Sequence, residues 1–130
     1  MLYLLLKEQT ITLIQECESS MNRFYQMREE NRAPHFFDEV KPHADSMHVL
    51  LDKWQQSANE WIQNHRTKYM HSQQIDACVD SMKQFIVQSF YKETSKKRFI
   101  QSVQSALYTL NTFLRYLQEG EQDAVKETND

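Results

Sequence analysis

Glycine occurs once and proline twice in these 130 residues. A β-rich chain needs many turns built on glycine, asparagine and proline, so this scarcity excludes sandwiches and barrels and favours long uninterrupted helices. A single glycine also excludes a phosphate-binding loop, a nucleophile elbow and a dinucleotide fingerprint, each of which needs at least two. Cysteine is nearly as scarce. Cys17 and Cys78 are the only two, with no CxxC pair and no metal-ligand spacing. Both fall on apolar helix faces, where a thiol packs as a small hydrophobe, and neither has a basic neighbour to lower its pKa. A reducing cytoplasm is the expected setting. The apolar run at residues 2–6 is too short for a signal-peptide core and lacks a cleavage site, and no segment approaches the length of a membrane span.

Charge of one sign is lacking too. Fifteen basic and eighteen acidic residues leave a net charge of -3, so no overall field directs the chain to nucleic acid or a membrane. The distribution is uneven, however. Residues 92–118 carry five basic side chains against one acidic, and residues 119–130 carry one basic against five acidic.

What is present is helical periodicity. Hydrophobic residues make up 40% and aromatic residues 12%, enough for one core in a chain of this length. At ~100° per residue, apolar positions align into four stripes. The first helix spans about residues 2–31 through Leu6, Leu13, Cys17, Phe24 and Met27, and stops before Pro34. The second reaches about residue 66 through Val40, Ala44, Met47, Leu51, Trp54, Ala58, Trp61 and His65, with Pro42 in its first turn. The third starts at an N-cap near Ser72 and runs to about residue 91, burying Ile75, Cys78, Val79, Met82, Phe85, Ile86, Ser89 and Phe90. The fourth begins after Thr94 or Ser95 and buries Phe99, Val103, Ala106, Leu110, Phe113, Leu114 and Leu117, with Gly120 as a left-handed C′ residue. Short connections predict an all-α, antiparallel up-and-down four-helix bundle over residues 1–120, followed by an acidic flexible tail at 121–130. Loops 32–41 and 92–97 should then meet at one end. The N-terminus, the 67–71 loop and the tail should meet at the other.

Trp54, Trp61-Ile62, Lys68-Tyr69, Gln74-Ile75-Asp76, Gln88-Ser89-Phe90-Tyr91, Lys96-Lys97-Arg98-Phe99 and Tyr108-Thr109-Leu110 carry a resemblance. Over most of residues 20–118 the chain resembles the YppE-like family, small bacterial proteins of low-GC Gram-positive bacteria classed as a domain of unknown function. The resemblance implies a four-helix up-and-down bundle and assigns no catalytic or ligand residue.

Candidate chemistry is thin. Di-iron bundles use Glu-x-x-His pairs, and none occurs. Asp45-x-x-His48 with Asp52 is half a motif at the rim of the apolar arc, where a boundary histidine paired with Asp45 or Asp52 is expected. His35 and His43 share one bundle end and are the place for a ligand-binding or metal-dependent alternative. His65 lies on the inner stripe. Asp76 and Asp80 fall on the solvent face of the third helix. No catalytic, metal or cofactor site is assigned.

Two features remain. Lys92, Lys96, Lys97 and Arg98 oppose the positive dipole at the start of the fourth helix. Such a violation marks an anion or acidic-peptide site, unless Asp38 and Glu39 in the adjacent loop neutralise it. Without interleaved aromatics, nucleic acid is not expected. Apolar residues also fall on outer faces: Val87 with Tyr91, Tyr108, and Leu5 with Ile11. If contiguous, they would form a homodimer or partner surface. The reading is a non-enzymatic interaction or regulatory adaptor, with Lys92, Lys96, Lys97, Arg98, Tyr91 and Tyr108 as candidate binding residues.

Overall fold

The computed structural model describes residues 2–129, with side chains from 3 to 120. Four α-helices follow one another: α1 (Leu2–Glu30), α2 (Lys41–His65), α3 (Ser72–Gln88) and α4 (Lys96–Asn129). A π-helical turn, Phe36–Val40, runs directly into α2. No strand occurs among the described residues.

Local chemistry sets most boundaries. α1 ends because Asn31 takes a left-handed conformation (φ 51°), which the short asparagine side chain tolerates. α2 ends likewise at Arg66 (φ 45°), whose N–H bonds to Ile62 O at 2.9 Å. At the start of α3 the N-cap is His71 rather than Ser72, and Gln74 reaches back to accept its backbone N–H at 2.7 Å. Gly120 is not a left-handed cap, because it lies inside α4 without a positive φ. A Cβ there would stand 3.3 Å from Trp61 Cζ2, so the missing side chain lets the indole approach α4 closely. The tail expected at 121–130 lies outside the described side chains.

Contacts between helices give their directions. Trp54 Nε1 of α2 donates to Thr10 Oγ1 of α1 at 2.9 Å, and His43 meets Glu16 at 2.9 Å. Asn59 and Gln55 of α2 reach Asp76 of α3, while Lys83 reaches Asp52. Phe85 of α3 packs edge-on against Phe99 of α4, and Cys78 Sγ of α3 lies 4.0 Å from Ala106 O of α4. Phe24 of α1 stacks on that same Phe99 at 4.3 Å, and Tyr3 donates to Leu117 O. Each sequential pair therefore runs antiparallel, and α1 closes the ring against α4.

The stripes meet at a core centred on Phe24, Trp54, Phe85, Phe99 and Phe113, all fully buried. Burying such a side chain is worth roughly 1.5–3 kcal/mol, so the five rings set the helix spacing. The interior is not uniformly apolar. Thr10, Glu16, Ser20 and Ser89 are also buried; Thr10 serves Trp54, and the other three lie towards the end described next.

Candidate functional site

Loops 31–35 and 89–95 meet at one end of the bundle. Arg28, in the last turn of α1, donates to Thr94 O at 3.2 Å and Lys92 O at 3.4 Å, and Thr94 Oγ1 caps Gln88 O at 2.9 Å. The backbone beneath the basic cluster is thereby tied to α1. Of the cluster itself, Lys92 Nζ donates to Asn31 Oδ1 at 2.8 Å, and Lys96 Nζ lies 5.6 Å from the centre of the Tyr25 ring. Lys97 and Arg98 are exposed and make no ion pair among the described residues.

The expected neutralisation by Asp38 and Glu39 does not form. Glu39 is held by Arg32, with Nη1–Oε1 at 2.8 Å and Nη2–Oε2 at 3.1 Å, and it accepts the His35 backbone N–H at 3.2 Å. The Arg32 guanidinium and this N–H pull its pKa down to about 2. A bidentate fork seven residues away in sequence, across the wide π turn, outcompetes longer-range pairing. Asp38 makes no ion pair with the cluster either. Among the described residues, none of the four cations makes an ion pair with a carboxylate. At the same end of the bundle, the π turn that leads into α2 presents Phe36 and Phe37, ring to ring at 5.2 Å and 47% and 77% exposed.

The tyrosines are not brought together. Tyr91 is half-buried next to Lys92, and Val87 is half-buried too. Tyr108 is 71% exposed, but it stands twelve residues into α4, ~18 Å along the axis from the cluster. It lines a cleft with Tyr69, Arg115 and Tyr116 instead. Leu5 and Ile11 are exposed on α1.

Beneath the basic end lies a buried ionic group absent from the sequence reading. Glu16 of α1 is 6% exposed, yet its carboxylate accepts from Ser20 at 3.0 Å and pairs with Arg23 at 3.5 Å and His43 Nε2 at 2.9 and 3.0 Å. An ionised carboxylate only accepts, so His43 Nε2 carries a proton, and its 3.3 Å approach to Arg23 Nη2 is a contact between two donors. Arg23 spends Nη1 on Ser89 Oγ at 2.8 Å and stacks over Phe90 at 4.5 Å. Ser89 in turn donates to Ile86 O at 2.6 Å. The group clamps α1, α2 and α3 together. Ser89 is fully buried and holds Arg23 rather than His43, so no nucleophile–base pair results. The signal was Glu16, Ser20 and Arg23 at spacings of four and three, a polar line beside the apolar stripe.

The remaining histidines disperse. His48 Nε2 lies 3.3 Å from Lys83 O, not on Asp45 or Asp52, because Lys41 takes Asp45 and Lys83 takes Asp52. His35 caps the π turn, and His65 is exposed, stacked on Trp61 rather than buried in the core. Asp80 is exposed, as expected, whereas Asp76 is half-buried at the seam with α2, where it accepts from Gln55 at 2.8 Å and Asn59 at 3.1 Å, bonds that lower its pKa. Among the described residues no three metal-binding side chains converge. Burial raises the pKa of Cys17 beyond the ordinary thiol range, with Cys78 adding to the effect, and pushes Cys78 up to about 12.

Known proteins of the same kind exist. A family model described as a bacterial domain of unknown function, DUF1798, matches residues 10–117. The uncharacterized protein YppE of Bacillus subtilis (strain 168) is 33% identical over 106 residues, 82% of this chain and 86% of that protein. The crystal structure of YppE from Bacillus subtilis superposes with a TM-score of 0.90 at 30% identity, covering 94% of this chain and 99% of that one. A Listeria innocua protein shares the fold, with a TM-score of 0.88 at 24% identity over 93% of this chain and 97% of its own. The chain belongs to the DUF1798 family of bacterial proteins.

Proposed function

We propose that the chain is a non-enzymatic interaction module that docks an acidic partner peptide on the loop-bearing end of the bundle. The observation carrying this reading is the uncompensated basic cluster. Lys96, Lys97 and Arg98 occupy the first turn of α4, where free backbone N–H groups already favour negative charge, and Glu39 is committed to Arg32. An acidic side chain arriving there meets several charge-assisted donors at once. The exposed Phe36 and Phe37 rings add apolar area at the margin, which fits a peptide alternating carboxylates with aliphatic or aromatic residues. The buried Glu16–Arg23–His43 group supports the site by holding the helices rigid beneath it, which lowers the ordering cost of binding.

A protein partner is favoured over nucleic acid because a net charge of -3 leaves no wider basic surface to follow a phosphate backbone. Among the described residues no helix is long and apolar enough to cross a membrane. Two buried, unpaired thiols fit a cytoplasmic setting. Tyr108 with Tyr69 offers a second surface on α4, suited to a further protein contact or a second copy of the chain.

The test is fluorescence titration with a peptide alternating glutamate and leucine, across a range of salt. Replacing Lys96, Lys97 and Arg98 together with alanine touches only exposed side chains, so the fold should survive. The variant is expected to bind at least ~10-fold more weakly, with a shallower salt dependence. Equal affinity of parent and variant would sink the proposal.

A further inference from the structure

At the opposite end of the bundle, the start of α1 and the last two turns of α2 enclose a cleft of ≈ 270 Å³. The geometry points to this cleft as a binding site for a small, free organic cation of the quaternary-ammonium type. The site is separate from the basic end and does not depend on its reading.

Three rings form its walls: Tyr3 from α1, and Trp61 and His65 from α2. Trp61 and His65 stack at 4.0 Å with an interplanar angle of 11°. The stack is fixed in place, since His65 Nδ1 lies 2.9 Å from Trp61 O, within hydrogen-bond reach of its own helix backbone. The indole is fixed as well. Phe113 meets it edge-on at 5.6 Å, and Gly120 allows α4 to close against its Cζ2 edge. Tyr3 is anchored through its hydroxyl to Leu117 O. Rings held before a ligand arrives are what cation–π recognition requires, because the quadrupole attracts a cation only over a ring face, and the stack uses one face of Trp61 and one of His65, leaving their outer faces and that of Tyr3.

Charge selects the sign of the ligand. Among the described residues Glu60 is the one formally charged side chain lining the cleft, and it makes no ion pair with any of them. The other polar lining groups, Ser57 and Asn64, are neutral. An anion is repelled, and a neutral apolar molecule gains burial alone. A primary ammonium or guanidinium is strongly hydrated, and against a mostly apolar wall it would exchange that water for the oxygens of Ser57, Glu60 and Asn64 at best. An alkylated ammonium has no N–H groups to satisfy, gains from the rings and the carboxylate together, and fits a volume at the small end of ligand cavities.

The protein carries its own reporters, Trp61 at the cleft and Trp54 fully buried on Thr10, so NMR of the two indole N–H groups separates a site effect from a global one. Titrating the full chain with choline at millimolar concentration should move the Trp61 signal saturably and leave that of Trp54 in place. The uncharged carbon isostere 3,3-dimethylbutan-1-ol should bind at least ~3-fold more weakly, and Glu60→Gln should weaken choline about three- to tenfold. Glu60 is exposed, so this variant does not put the fold at risk. A static Trp61 signal, an isostere that binds as well as choline, or a Glu60→Gln variant with unchanged affinity overturns the site. Phosphocholine binding more tightly than choline would overturn the assignment to a free cation in favour of a lipid headgroup.

Discussion

Glu16 divides its two oxygens among Ser20, Arg23 and His43 in a nearly closed site. Removing one member of such a group strands the others without removing their desolvation cost, whereas replacing the pair by apolar side chains removes both. Glu16→Gln should therefore cost about 2–3 kcal/mol in urea unfolding, less than a fully buried pair would lose because Arg23 and His43 keep some solvent. The double change Glu16→Leu with Arg23→Met should recover most of that loss. A single variant as stable as the parent would mean the group clamps nothing. Residues of this kind were hard to read in the sequence. A carboxylate on a helical wheel is assigned to water unless its partners are seen, and here they are Ser20 and Arg23 on α1 and His43 on α2. His65 erred the other way: its place on the stripe was legible, but the stripe runs out where the helix outlasts the core.

Among the elements, α2 was the most legible, because its apolar residues return every three or four positions and Trp54 and Trp61 anchor two of those turns. Periodicity alone gives both tryptophans equal weight; packing separates them. Trp54 is fully buried with its N–H satisfied, whereas Trp61 is half-buried and packs against the core from outside. Trp54→Ala should lower stability by ~3–5 kcal/mol, and Trp61→Ala by roughly half that or less. Equal losses in thermal or urea melts would show that the two indoles are buried alike. The π turn was not legible, since Phe36 to Val40 carries no glycine or asparagine to announce an unusual backbone, and the turn depends on the Arg32–Glu39 fork. Its pH dependence follows from the sign of the Glu39 shift. A folded-state pKa lowered from 4.5 to about 2 contributes stability that is present above pH 4.5 and lost as pH falls towards 2. The His35 amide, bonded to Glu39 Oε1, should titrate with a midpoint near 2 in NMR. A midpoint at the ordinary carboxylate value would mean that the fork is open in solution.

Over the whole molecule, four stripes and short connections were enough to set the architecture, because helix order and direction follow once each apolar face must find a partner. The charge distribution was legible only in part. The basic segment stood out in the sequence, but its neutralisation by Asp38 and Glu39 was a matter of side-chain reach, and Arg32 holds Glu39 instead. That one exchange of partners leaves positive charge at one end of the bundle; the aromatic cleft lined by Glu60 lies at the other. Separating the two ends by the length of the helices allows each to be changed without disturbing its counterpart. The most direct measurement is backbone-amide NMR mapping during titration with a glutamate-rich amphipathic peptide. The account predicts shifts that cluster at residues 36–40 and 92–99 and disappear in the Lys96, Lys97, Arg98 triple alanine variant. Shifts spread elsewhere on the bundle, or none at millimolar peptide, would contradict it.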